Sequence, residues 1–349
     1  MPYDKLRYSI VGLGHIAEKA YLAASQDLEK AELAAVCDAD AVKAAAWAAK
    51  FGISAYSDFH NMLDSEQLDF IVNLTPHSVH AEVIRAAAGR GVSVFTEKPP
   101  VMSLGQAHEI DGLVKASGIR LMVGLQRRFS RTYANFRRTI SRIENPFLIE
   151  ARYSMYINGL GEGWRSSVSL AGGGCLIDMG YHMIDLIIWY FGLPDRVCME
   201  SSAVAAPESV YDVEDTALVL FGYKRGLYGS LTLSRAYRPE AEYLMVTGSN
   251  GSCTIDRERA VILDRQGRVV DEERVDYDMA ELVRRQLDYF VDVVRGSNPE
   301  FTGMECNMEH MTFLDACYRS RSSGRYVAID RVEEDGRTAK RCGFGRELV

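Results

Sequence analysis

Apolar and polar positions in the first third of the chain alternate between two rhythms. Short apolar runs at Arg7–Leu13, Ala31–Asp38, Asp69–Thr75, Val92–Thr96 and Arg120–Gly124 read as buried parallel strands. Helical patterns separate them: one after the first run, an Ala-rich one ending near Phe51-Gly52, and two at 77–90 and 103–117. Such alternation implies βαβ crossovers and a Rossmann-type doubly wound parallel sheet over 1–125. Past Gln126 the rhythm changes. One long helix precedes a strand-like Phe147–Tyr156, and a glycine-rich stretch leads into an apolar helix at 175–191. Segments 196–205, 214–222, 227–237, 242–249 and 252–256 then read as an antiparallel meander without intervening helices. Two helices, near 279–295 and 303–322, complete a second α/β domain over 126–330 with an open, mostly antiparallel sheet, and 331–349 is a polar tail.

Composition narrows the class. At 349 residues, 47% hydrophobic and 25% charged, the chain matches an ordinary globular protein of about two domains. The net charge of −8 disfavours a phosphate backbone as partner, so nucleic acid is not expected. No apolar run reaches membrane-spanning length, and Ile10-Val11 is too short for a signal core, so the chain reads as cytoplasmic with no membrane partner. Seven scattered cysteines without a CxxC pair indicate neither a disulfide framework nor a thiolate metal site. No metal is expected.

The turn Gly12-Leu-Gly14-His15-Ile16-Ala17 is GxGxxA, placed directly after the first strand. Gly12 permits the tight turn, Gly14 lets a pyrophosphate approach, and the following helix offers free N–H groups. Asp38 ends the second strand about 20 residues beyond that turn, where a carboxylate bonds a ribose 2′-hydroxyl. It would repel a 2′-phosphate, so NAD is favoured over NADP; a helix cap is the plainer use of the same residue.

Between Cys175 and Phe191 nearly every residue is apolar except Asp178, His182 and Asp185, which fall on one helical face. Buried there, they must be paired, face a wet cavity, or both. Acid–base chemistry fits best: Asp178 orients His182 and stabilises its imidazolium. The three glycines at 172–174 would let substrate or cofactor approach the backbone. Glu97-Lys98-Pro99-Pro100 follows the strand Val92–Thr96, at the carboxyl edge where doubly wound folds bind ligands. A lysine there can steady a substrate oxygen.

Taken together, Gly12-x-Gly14-x-x-Ala17, Asp38, Thr75-Pro76, Glu97-Lys98-Pro99, Trp164-Arg165 and the GGGxxxDxGxHxxD helix resemble the glucose–fructose oxidoreductase / inositol dehydrogenase / rhizopine-catabolism (Gfo/Idh/MocA) family. The resemblance implies redox chemistry at a secondary carbinol of a sugar, sugar derivative or cyclitol. It also implies a homodimer or homotetramer formed through the C-terminal sheet. It makes Lys98, Asp178 and His182 catalytic. The cofactor residues become Gly12, Gly14, His15, Ile16, Asp38, Thr75, Pro76, His77, His80, Glu97 and Lys98. Substrate falls to Arg127, Tyr153, Trp164, Arg165, Asp178 and His182. His77, and the segment Gln126-Arg-Arg-Phe129, depart from the family's commoner residues.

Arg127, Arg128, Arg152 and Arg165 either gather at the pocket, which suggests a substrate carboxylate or phosphate, or pair with carboxylates of the chain. Tyr153, Tyr156 and Asn158 suit a polyol and equally suit a strand. Rival readings are a glycoside hydrolase with transient NAD redox, a non-catalytic dinucleotide sensor, and a dehydrogenase of a non-sugar substrate.

Overall fold

The computed structural model describes residues 5–329, so the 331–349 tail lies outside the described residues. The chain divides into two compact units, one running to Gln126 and resuming over Asp278–Met308, the other taking Arg127–Tyr277 and the chain from Glu309.

In the first unit, strands β1 (Leu6–Val11), β2 (Ala31–Cys37), β3 (Ser54–Tyr56), β4 (Phe70–Asn73), β5 (Ser93–Thr96) and β6 (Leu121–Val123) are all parallel, in the order β3-β2-β1-β4-β5-β6. Every residue of β4, β5 and β6 is buried, as strands covered on both faces require. Helices Ala41–Phe51, Phe59–Ser65 and Leu104–Ser117 start where Asp40, Asp58 and Ser103 accept backbone N–H bonds from the first turn. Strand β3 and helix Phe59–Ser65 escape the sequence reading because they are short; β3 is also mostly exposed and carries no apolar run.

Helix Met279–Val294 belongs to this unit, although a division at 125/126 leaves it with the other. Phe290 sets its ring edgewise on Phe70 and Phe95, at 5.4 and 5.7 Å between centroids. Beyond it, Val123 N–H donates to Thr302 O (3.0 Å) and the Thr302 hydroxyl donates to Val123 O (2.7 Å), which pins the segment to β6.

Among its described residues the second unit holds nine strands: β7 (Leu148–Tyr156), β8 (Arg196–Ser202), β9 (Thr216–Gly222), β10 (Tyr228–Ser234), β11 (Ala236–Gly248), β12 (Gly251–Ile255), β13 (Arg259–Asp264), β14 (Val269–Arg274) and β15 (Val327–Ala328). Their order is β14-β13-β12-β11-β7-β10-β9-β8-β15. All neighbours are antiparallel except β7 and β10, which run parallel. A parallel pair needs a long crossover, and the segment between them carries helix Gly180–Phe191, buried almost throughout. The hairpin β13–β14 went unread because β14 is charged and largely exposed. The long helix expected before β7 is instead a single 3₁₀ turn, Gln126–Phe129, followed by helix Arg131–Ile140.

Among the described residues no helix is long and apolar enough to cross a membrane. Cys37, Cys175, Cys198, Cys253 and Cys317 are free thiols.

Candidate active site

The strand order reverses between β1 and β4, so the loops that follow them meet at the carboxyl edge of the first sheet. Gly12 sits at that meeting with φ +91°, and a Cβ there would lie 2.7 Å from the Leu74 carbonyl and 2.8 Å from Thr75 N. Two constraints, conformation and space, therefore select glycine. At Gly14 the reverse holds: nothing lies within 4 Å of where a Cβ would project, so the turn opens there. The helix beginning at His15 and Ile16 leaves its first-turn N–H groups without intrahelical partners. Asp38 accepts from Leu13 N–H (2.7 Å) and from Asp40 N–H (2.9 Å), which turns its carboxylate toward the glycine turn. The helix cap is Asp40, not Asp38. Amides for a pyrophosphate and a carboxylate for a ribose stand where a dinucleotide needs them, and the donor set fits that group.

After β4, the Thr75 hydroxyl donates to Asn73 Oδ1 (2.7 Å), and Pro76 opens helix His77–Ala88. His77 is buried in its first turn. His80 is fully buried, with Nδ1 2.7 Å from Pro99 O and Nε2 2.8 Å from Thr75 O, so both ring nitrogens are occupied by backbone. Burial, with the Lys98 charge in support, pulls its pKa down to about 4 against the two carbonyl bonds. His80 thus stands behind the loops that carry Thr75 and Lys98. Glu97 accepts from the Tyr21 hydroxyl (2.6 Å) and from Lys98 N–H (3.1 Å), and the Lys98–Pro99 peptide is cis. Lys98 follows β5 at the same sheet edge, half-buried.

In the second unit, Asp178 and His182 are buried on the apolar segment, which breaks at Met179 into Cys175–Asp178 and Gly180–Phe191. Asp178 accepts from Arg165 Nε (3.1 Å), and the Arg165 guanidinium lies 4.2 Å from the centre of the Trp164 ring. The glycines ahead of the segment serve the chain itself rather than a ligand. A Cβ on Gly173 would meet the Tyr318 hydroxyl at 2.0 Å, and one on Gly174 the Glu214 carbonyl at 1.9 Å. Glu214, unseen in the sequence, accepts from Leu176 N–H and from the Tyr318 hydroxyl, each at 3.1 Å, and its carbonyl accepts from Cys175 N–H. It fixes the start of the segment that carries Asp178.

Asp185 belongs to a different task. Its Oδ1 accepts from Arg128 Nη2 (2.6 Å), with His310 Nε2 at 2.9 Å, all fully buried. Burial works against the charge of Asp185, yet Arg128 and His310 together hold the carboxyl below its usual range. Breaking such a pair from one side costs about 3–5 kcal/mol. Arg127 likewise finds a carboxylate, Glu242 on β11, through Nε at 2.6 Å. Arg152 sets its Nε 3.4 Å from Ser154 Oγ and lies over the Tyr237 ring, while Tyr153 points the other way along β7 and accepts from Arg257 Nη2 (2.9 Å). The four arginines therefore do not converge on one site. Glu242 and Arg257 carried no signal in the sequence, since the Arg127–Glu242 pair spans 115 residues.

Known proteins bear on this geometry. A family model described as "Oxidoreductase family, NAD-binding Rossmann fold" matches residues 6–125, and the GFO/IDH/MocA C-terminal domain matches 141–254. A D-xylose 1-dehydrogenase (NADP(+)) of Haloferax volcanii is 26% identical over 335 residues, covering 93% of this chain and all of that one. The scyllo-inositol 2-dehydrogenase (NADP(+)) IolU of Bacillus subtilis is 27% identical, covering 76% of this chain and 81% of its own. The aldose-aldose oxidoreductase of Caulobacter crescentus, solved with glycerol, shares the fold with a TM-score of 0.82 at 21% identity, over 93% of this chain and 100% of that one.

Proposed function

The chain belongs to the Gfo/Idh/MocA oxidoreductase family, and on that premise we propose that it interconverts a secondary hydroxyl and a ketone of a sugar, sugar derivative or cyclitol. The carrying observation is that His182 and Asp178 lie four residues apart on one buried apolar segment, in a chain that also presents Lys98 at the carboxyl edge of its parallel sheet. A sensor of dinucleotide has no use for a proton acceptor.

A bound nicotinamide supplies the hydride acceptor or donor. The chain supplies the rest. His182 takes the hydroxyl proton on its ring as the carbinol is oxidised, and returns it in the reverse direction. The Lys98 ammonium steadies the developing alkoxide, a role worth about 3 kcal/mol by comparison with oxyanion donors. Asp178 binds substrate and orients His182, and Arg165 and Trp164 approach substrate from the loop that grips Asp178. Holding the carbinol in one orientation lowers much of the remaining barrier.

Asp38 supports NAD over NADP, because its carboxylate at the end of β2 repels a 2′-phosphate. Homodimer or homotetramer contact fits the outer face of the second sheet, where Leu218, Leu220 and Tyr228 share one side of β9 and β10 and each is about half exposed.

The test is a panel of sugars, sugar phosphates, aminosugars and inositols with NAD⁺ and NADP⁺, followed at the absorbance of the reduced nucleotide. Turnover is expected within the panel. Lys98→Ala and His182→Ala are each expected to lower kcat by orders of magnitude while reduced nucleotide still binds; near-wild-type turnover removes that residue from the mechanism. Silence across the panel with tight nucleotide binding overturns the dehydrogenase reading.

A further inference from the structure

Two guanidinium groups of the second unit each face a carboxylate that no second arginine shares among the described residues. Arg128 faces Asp185, and Arg165 faces Asp178. Glu242 is different, because two guanidinium groups share it. Its Oε1 accepts from Arg127 Nε (2.6 Å) and the Tyr133 hydroxyl (3.0 Å); its Oε2 accepts from Arg257 Nε (2.7 Å), with Arg257 Nη2 at 2.6 Å. Two positive charges against one negative leave a surplus of +1. Tyr133 and Tyr277 do not offset it, since burial raises their pKa and keeps them neutral.

The surplus also leaves a donor unused. Arg127 is only 3% exposed, and its Nη1 has no hydrogen-bond partner. Buried guanidinium groups are rarely left so, because an unmatched donor and an unmatched charge both oppose burial. Tyr153 stands between the two cations, its ring 5.5 Å from the Arg127 guanidinium carbon and 5.6 Å from that of Arg257. Arg257 keeps 39% of its side chain exposed, so the cluster is reached from that side. The cluster is tied to the catalytic helix. Arg127 adjoins Arg128, whose guanidinium grips Asp185 one turn beyond His182.

We propose that Arg257, Arg127 and Tyr153 form a subsite for an anionic oxygen group on the substrate, a carboxylate or a phosphate, so that the enzyme prefers a sugar acid or sugar phosphate to the neutral sugar. The inference rests on the dehydrogenase reading above and specifies its substrate class. A guanidinium fork matches either group in two parallel N–H bonds, and a single anionic group would cancel the surplus charge. A neutral polyol offers hydroxyls but no charge, and would leave the cluster as it stands.

The experiment compares D-glucose, D-glucuronate and D-glucose 6-phosphate, and the matching galactose series, in steady-state assays with the intact protein. KM for one anionic form is expected at least tenfold below that of its neutral parent, and which one shows the drop distinguishes carboxylate from phosphate. Arg257→Gln, a change at a partly exposed side chain, is expected to raise that KM until the preference disappears. Equal or better KM for the neutral sugars overturns the proposal, as does a variant that affects neutral and anionic substrates alike. Titration calorimetry of the nucleotide-loaded protein with D-glucuronate and D-glucose 6-phosphate separates the two readings if no sugar turns over. Binding weakened tenfold in Arg257→Gln would then support the anionic subsite while the dehydrogenase reading falls, and no binding of either anion would overturn the subsite itself.

Discussion

Asp38 shapes the glycine turn, and on the proposed reading it contacts the cofactor ribose as well. Its two oxygens accept from Leu13 N–H and Asp40 N–H, so the side chain braces the turn and still has lone pairs for ribose hydroxyls. Asp38→Ser should weaken NAD binding roughly tenfold, the scale of one charge-assisted hydrogen bond, and narrow or invert the preference over NADP. Fluorescence titration with both reduced nucleotides checks this, and an unchanged ratio of affinities would show that Asp38 does not read the ribose. Gly12, Gly14 and Asp38 were legible in the sequence because dinucleotide turns place them at fixed short spacings. Asp178 and His182 were legible as misfits in an apolar stretch. Glu214, Glu242 and Arg257 were not, since each acts through a partner distant in sequence and nothing local marks it. His80 was named for the cofactor by the resemblance alone, and its ring nitrogens lie against the Pro99 and Thr75 carbonyls.

At the scale of elements, legibility followed burial. Strands β1, β2, β4 and β5 announce themselves as apolar runs. Exposed or charged elements such as β3 and β14 give no such run. The parallel pairing of β7 with β10 was hidden for another reason, because strand direction depends on the crossover and not on the residues of either strand. On β9, Ala217, Val219 and Phe221 turn inward while Leu218 and Leu220 turn out, and an outward pair of leucines is unusual on a sheet face left to water. Leu218→Asp should shift the protein toward monomer in analytical ultracentrifugation with little loss of secondary structure by circular dichroism. An unchanged sedimentation coefficient would place any subunit contact elsewhere.

For the molecule as a whole, two buried groups, His80 and Glu242, contribute to its response to acid in successive intervals. His80 titrates near 6.5 when unfolded and at about 4 when folded, because burial excludes the proton. Between those values the unfolded chain binds a proton that the folded chain refuses, so stability is lost as pH falls from 6.5 toward 4, by on the order of 3 kcal/mol. Burial works against the charge of Glu242, yet Arg127 and Arg257 bring its carboxyl down to about 2 from 4.5, so its contribution is lost over the next interval, as pH falls from 4.5 toward 2. Urea unfolding at pH 7, 5.5 and 4.5 should show a falling midpoint, and His80→Gln should flatten that fall. A wild-type midpoint constant over this range would mean that the buried ring takes its proton as readily as a free one.

The first unit is assembled from two stretches of chain, and this bears on how the protein is made. Phe290 covers Phe70 and Phe95, yet the ribosome delivers it only after the whole of residues 127–277. At a synthesis rate of roughly 5–20 residues per second, the nascent nucleotide-binding half waits on the order of 10 s with that aromatic surface uncovered. During that interval it is a natural client for a chaperone.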